Sequence, residues 1–250
     1  MKQRIILSVI AFALLAPSAW AQTEKVTRQS QQSAKPKPPK KSQWKYQDDF
    51  HEGLAYVKNA NDIFGFIDKT GKLVIPCQWK FAWRFSDGLA LVKDDNGKWG
   101  FIDKTGKLVT PCQWKYAFSF SEGLAPVQDA NNKWGFIDKT GKLLIPCQWK
   151  KACSFSDGLA LVKGDNGKWG YIDKTGKLVI PCQWRDASSF SEGLAPVQDA
   201  NNKYGYIDKT GKLIIPCQWK WAWNFENGLA KVDDDNGKRH KINKQGVIVK

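Results

Sequence analysis

The sequence is poor in the residues on which most enzymes rely. It holds two histidines, His51 and His240, and one methionine in 250 residues. The histidines fall in opposite terminal segments, which excludes a histidine-based triad within any one segment. Beyond an early run from Ile5 to Leu15, no long apolar stretch occurs, and that run is shorter than the ~18–20 residues a membrane-spanning helix needs. No cysteine follows it closely, which argues against a lipoprotein anchor. Apolar stripes with a helical period are missing throughout, which leaves strands as the building element.

What is present begins with MKQRIILSVIAFALLAPSAWAQ. A basic start (Lys2, Arg4), the short apolar run and Ala19-Trp20-Ala21 predict a secretory signal peptide over residues 1–21, and hence an exported, periplasmic or secreted protein. Residues 22–41, QTEKVTRQSQQSAKPKPPKK, contain no aromatic residue. Such a segment buries too little apolar surface to offset its ordering entropy, so it reads as a disordered basic tether. The formal net charge is +15, of which Lys2 and Arg4 supply two, the tether a net +5 and residues 42–250 the remaining +8. A basic exported chain favours anionic polymers, lipid head groups or acidic proteins.

From residue 42 onward the chain copies itself every 35 residues. C-Q-W opens at Cys77, Cys112, Cys147, Cys182 and Cys217; an aromatic-Gly pair falls at Gly65, Gly100, Gly135, Gly170 and Gly205. Cutting before each C-Q-W gives six units: 42–76, 77–111, 112–146, 147–181, 182–216 and 217–250. The last is degenerate, with RHKINKQG in place of WGFIDKTG. Copies two apart match better than neighbours: SEGLAPVQDANNK occurs at both 121–133 and 191–203, which points to a paired ancestor. Within 88–122, Leu89–Val92, Trp99–Ile102 and Lys107–Thr110 read as strands. Asn96-Gly97 and Asp103–Gly106 read as the turns between them, and Pro111 as an edge or bulge. Three antiparallel strands end pointing the wrong way for the next copy, so the segment from Cys112 to Phe120 must travel back. The expected fold is all-β: tandem 35-residue hairpin repeats stacked as an open β-solenoid or superhelix, with a closed six-bladed, propeller-like ring as the alternative.

The core W-G-F-I-D-K-T-G-K-L-V-I-P, with F-S-(D/E)-G-L-A upstream, resembles the WG-repeat (KWG) proteins of bacteria. The resemblance covers 42–250; Phe64-Gly65 and Tyr204-Gly205 vary the naming dipeptide, and Arg239-His240 loses it. It implies a tandem β-repeat and no particular chemistry. The hairpin N-G-K-W-G-F-I-D-K-T-G is also distantly similar to cell-wall-binding repeats. Those hold choline or glycans on aromatic residues between hairpins, though no ligand cage carries over residue by residue.

The aspartates Asp68, Asp103, Asp138, Asp173 and Asp208 recur too regularly to be catalytic and are assigned to turns. Asp233-Asp234-Asp235-Asn236-Gly237 lacks the later bidentate glutamate of a calcium loop and reads as a hairpin turn. Five of the six cysteines share one phase, which favours buried free thiols over disulfides or a metal. No cofactor is expected. The invariant Trp44, Trp79, Trp114, Trp149, Trp184 and Trp219 are assigned to the core between units. Lys69, Lys72, Lys104, Lys107, Lys139, Lys142, Lys174, Lys177, Lys209 and Lys212 flank the D-K-T-G turns and predict a basic rim, with an acidic rim opposite at the Asn-Gly ends.

Four residues after C-Q-W-K drift where everything around them is fixed: FAWR, YAFS, KACS, DASS, WAWN. A core position repeated six times meets the same neighbours six times, so free variation predicts an outward-facing pair on an extended segment. Phe81, Trp83, Tyr116, Phe118, Trp221 and Trp223 are therefore the candidate ligand-binding residues, since exposed aromatic clusters suit sugar rings or apolar side chains. The sequence as a whole predicts a non-enzymatic binding module of the cell envelope whose partner is a glycan, a cell-wall polymer or a protein, with no role for nucleic acid. The alternative is a protein–protein scaffold.

Overall fold

The computed structural model describes residues 43–249. The expected signal peptide and tether lie outside the described residues. All regular structure is β, in six antiparallel sheets of four strands, each a simple meander. The second sheet is representative: strands Phe81–Ser86, Leu89–Lys93, Trp99–Ile102 and Leu108–Trp114 pair in chain order. The expected strands over 89–92 and 99–102 are found almost to the residue, because alternating aromatic and branched side chains are bounded on both sides by turns.

The sheets are cut at a different phase from the sequence units. C-Q-W belongs to the end of a sheet's last strand, and the drifting segment is the first strand of the next sheet. A single residue, such as Lys80 between Trp79 and Phe81, separates the two strands as the chain changes sheets. The S-(D/E)-G link is a hairpin turn between first and second strands. Asp87 and Gly88 both have positive φ (57° and 85°), as a two-residue turn of this twist requires.

Pro76 sits in an edge strand, where its missing N–H costs no ladder bond. The register slips there: Phe64 pairs with Trp79 and Phe66 with Ile75, so Gly65 alone opposes Pro76, Cys77 and Gln78. A Cβ on Gly65 would lie 2.6 Å from the Ile75 carbonyl oxygen and 2.8 Å from the Cys77 nitrogen. The glycine of the aromatic-Gly pair is thus dictated by the bulge at the proline opposite.

Neighbouring sheets bury five apolar seams. In the first, Leu54, Phe66, Ile75 and Trp79 of one sheet meet Ala82, Phe85, Val92 and Ile102 of the next. The same contact recurs at every seam: Phe66–Phe85, Phe101–Phe120, Phe136–Phe155, Tyr171–Phe190 and Tyr206–Phe225 have ring centroids 4.8 to 5.1 Å apart. Polar ties follow the same spacing. Ser86 Oγ donates to the Phe120 carbonyl (3.0 Å), and the Gly123 amide donates to Asp87 (2.9 Å). The five later tryptophans of the C-Q-W run lie at these seams, buried or half-buried, with Nε1 buried and lacking an acceptor among the described residues.

The array is an open stack. Among the described residues, side-chain hydrogen bonds between sheets join consecutive sheets only. Phe50 is 37% exposed, while its counterparts Phe85, Phe120, Phe155, Phe190 and Phe225 are at most 2% exposed. On the far side of sheet six, exposed Lys231, Arg239 and Lys241 stand where the first sheet has buried Tyr56, Phe64 and Phe66. A closed ring would bury those three charges. The degenerate sixth repeat is a polar cap.

Candidate functional site

The drifting pairs lie along the outer first strands, at the seams. Trp83, Tyr116, Phe118, Trp221 and Trp223 are exposed and Phe81 is half-buried. Each ring uses part of its surface to pack. Trp83 stacks on Tyr56 of the preceding sheet (6.2 Å) and on Phe81 (6.0 Å). Phe118 stacks on Trp134 (5.3 Å), and Trp221 on Tyr204 of the preceding sheet (5.6 Å). The remaining ring surface faces solvent.

Two concave sites result. Near the start, Lys45, Tyr46, Tyr56, Lys58, Phe64, Phe81 and Trp83 line a cleft of about 320 Å³. Its lysines are already engaged: Lys45 and Lys58 each lie 2.7 Å from Asp62, whose carboxyl their hydrogen bonds hold down to about 2. Near the end, Asp186, Ser188, Tyr204, Trp221, Trp223, Asn224, Asp233 and Arg239 line a groove of about 820 Å³. Here Arg239 grips Asp233 with two bonds, Nε to Oδ1 at 2.9 Å and Nη2 to Oδ2 at 3.1 Å. That fork holds the Asp233 carboxyl below its usual range. The Arg239 guanidinium lies 4.6 Å from the Trp223 ring centroid. Tyr204 Oη donates to Asp186 Oδ2 at 2.6 Å; burial, then that bond, pushes the phenol pKa up. The groove combines two aromatic platforms with fixed acceptors and a fixed cation. The drift predicts exposure for Trp221 and Trp223, and both are exposed and line this groove. Arg239 and Asp233 lie outside the drifting positions, and the loss of the aromatic-Gly pair at 239–240 is the one sequence signal that marks them.

The lysine rim needs correction. The D-K-T-G turns and the S-(D/E)-G turns fall on the same end of the sheets, since turns of a meander alternate ends. The ten predicted rim lysines therefore share their rim with Asp68, Asp103, Asp138, Asp173 and Asp208 and with Glu52, Asp87, Glu122, Asp157 and Glu192. Lysines and carboxylates cancel in each repeat. Lys104 pairs with Glu52 (3.1 Å), Lys139 with Asp87 (3.8 Å) and Lys174 with Glu122 (3.1 Å). Lys72, Lys107, Lys142, Lys177 and Lys212 make no ion pair among the described residues, beside the exposed Leu73, Leu108, Leu143, Leu178 and Leu213. Opposite, the Asn-Gly rim is not simply acidic, because Lys80, Lys115, Lys150, Arg185 and Lys220 stand at the sheet changes on that end.

The turn aspartates have the predicted structural role. Asp103 Oδ1 accepts from Thr105 N and Oγ1 and from Lys107 N, and the other four repeat this pattern. Asp234 Oδ1 likewise accepts from the Asn236 and Lys238 amides, which makes 233–237 a hairpin turn. The six cysteines are free; burial pushes the Cys112, Cys147 and Cys217 thiols up to about 11, away from thiolate chemistry. His240 Nε2 lies 2.9 Å from Asp234 Oδ2, and His51 contacts Arg84 (3.3 Å), so the two histidines belong to separate ends.

Several solved structures are similar to the chain at low sequence identity. The computationally designed protein Ika8 is similar over 79% of this chain and 70% of its own, with 14% identity and a TM-score of 0.48. BamB from Moraxella catarrhalis is similar over 80% of this chain and 73% of its own, with 12% identity and a TM-score of 0.46. Hsv2 of Kluyveromyces lactis is similar over 78% and 73%, with 10% identity and a TM-score of 0.48. Likenesses at this level carry no argument about what the chain binds. A search of curated proteins found no match. A family model described as WG containing repeat matches five times in tandem, over 64–99, 99–134, 134–169, 169–204 and 204–238. Those matches span well over half of the sequence, and the chain belongs to the WG-repeat family.

Proposed function

We propose that the protein is an exported, non-enzymatic binding module of the cell envelope that holds a glycan in the groove at the end of the array. The observation that carries this reading is the grouping of exposed Trp221 and Trp223 with Asp186, Asp233 and Arg239 in one concavity. Indole faces suit the C–H faces of sugar rings. The fixed carboxylates and guanidinium supply acceptors and donors for hydroxyl groups without ordering cost at the moment of binding. The signal-peptide-like pattern over residues 1–21 supports export, and a cell-wall polymer is then the glycan at hand.

Titration of soluble peptidoglycan fragments, followed by tryptophan fluorescence and calorimetry, tests the reading. Saturable binding should weaken at least about tenfold in Trp221→Ala and in Trp223→Ala, as for loss of a central aromatic anchor. Binding that survives both changes would remove the groove from the function. The protein-scaffold reading is supported by the exposed aliphatic pairs on the outer strands, such as Leu143-Leu144 and Leu213-Ile214. It is favoured if no glycan binds and Leu213→Asp instead abolishes association with an envelope protein.

A further inference from the structure

The paired ancestry of the repeats has a physical expression on the Asn-Gly rim. At the seam between sheets three and four, Lys133 Nζ donates to Asp165 Oδ1 (2.6 Å), and Lys150 Nζ donates to the Asp165 carbonyl oxygen (2.6 Å). Between sheets five and six, Lys203 pairs with Asp235. Between sheets one and two, Lys80 pairs with Asp95 (3.3 Å). The acid position therefore reads Asp95, Asp165 and Asp235 at alternate seams. At the two seams between them it reads Ala130 and Ala200.

The cations do not alternate with it. Between sheets four and five, Lys168 and Arg185 occupy the places of Lys133 and Lys150, and Ala200 faces them where Asp165 would be. Gly167, Lys168, Gln183, Arg185 and Ala200 line a cleft of about 310 Å³. Neither the Lys168 ammonium nor the Arg185 guanidinium has a partner among the described residues. A second carboxylate is missing as well: Gly164 stands where sheets two, three, five and six carry Asp94, Asp129, Asp199 and Asp234. The carboxylates closest in sequence to the lining residues are committed elsewhere: Asp165 accepts from Lys133 at the preceding seam. Asp199 accepts from the amides of its own turn, at Asn201 and Lys203, and Asp186 accepts from Tyr204. At the other alanine seam Lys115 is tied to Asn132, so the seam between sheets four and five has the freer pair.

We infer that this cleft binds an oxyanion, a phosphoryl or carboxylate group carried on a polymer. Two cations line one recess whose lining holds no carboxylate, and Arg185 offers the planar fork that such groups accept from. The cleft shares no lining residue with the tryptophan groove, though Arg185 and Asp186 adjoin in the chain, and oxyanion binding there does not rest on the glycan reading.

The test reproduces in the cleft what its neighbours already contain. Ala200→Asp rebuilds the acid found at Asp165 and Asp235, so the fold has a place for it; far-ultraviolet circular dichroism checks this. Fluorescently labelled polyphosphate and labelled polygalacturonate are titrated separately onto the full chain at low salt. One or both should bind, with affinity falling as salt rises. Ala200→Asp should weaken binding about five- to tenfold, the size expected when charge-assisted contacts are pre-empted by an internal ion pair. Asp235→Ala, which frees Lys203 beside Lys220, should strengthen it. The polymer that responds identifies the group as phosphoryl or carboxylate. Absence of binding by both polymers, or an affinity indifferent to both substitutions, overturns the inference.

Discussion

Gly170 shows how a single residue type follows from its neighbours. A Cβ there would lie 2.5 Å from the Ile180 carbonyl oxygen and 2.7 Å from the Cys182 nitrogen, both backbone atoms of the bulge around Pro181. Gly170→Ala should therefore cost about 1–3 kcal/mol, typical of overpacking against atoms that cannot rotate away. Urea unfolding of the full chain measures it; a cost below about 0.5 kcal/mol, the range of neutral surface changes, would show the bulge to be pliable. At this scale the sequence was readable. Invariant glycine, proline and tryptophan marked enforced geometry, and variation at 81, 83, 221 and 223 marked positions with a solvent-facing side. What drift could not show is that each exposed ring also packs on its neighbours. Trp83, for example, divides itself between solvent and Tyr56, which depends on how adjacent sheets meet.

The D-K-T-G turn is the element repeated most faithfully, and one carboxylate holds it. The hydrogen bond from Thr140 Oγ1 to Asp138 Oδ1 (2.6 Å), aided by the Lys142 and Thr140 amides, lowers the Asp138 pKa. Asp68, Asp103, Asp173 and Asp208 are lowered for the same reason, each first by its threonine. A carboxyl whose folded pKa lies below its unfolded value of ~3.9 stabilises fully above that value and loses its contribution as pH falls through the folded pKa. The melting temperature should thus hold level from neutral pH to about 5 and fall below about 4. Thr140→Val should raise the Asp138 pKa, read by carbon-13 titration of the carboxyl. An unmoved Asp138 would mean that the amides alone hold the turn. These turns were legible because Asp, Thr and Gly at fixed offsets have one local solution. The sheet boundaries were not, because C-Q-W continues one strand while the next residues begin another, and hydrophobicity does not change at Lys80.

For the molecule as a whole, the decisive features lie at seams and ends. Each internal sheet meets two neighbours through the same aromatic contact, whereas Phe50 has an exposed side and sheet six ends in Lys231, Arg239 and Lys241. The open stack was the expected form, and its polar cap could be read from RHKINKQG. The charge of the rims could not be read by counting lysines. Their cancellation needs the knowledge that two kinds of turn share one end, and the alternating Lys–Asp seams need contacts across repeats. The placement of the groove at the uncovered end is the claim on which the functional account turns. Amide hydrogen–deuterium exchange of the full chain, with and without saturating soluble peptidoglycan fragments, addresses it directly. Slowed exchange should be confined to the segments that form the groove, 186–188, 221–224 and 231–241; slowing only in other sheets, or none at saturation, would contradict it.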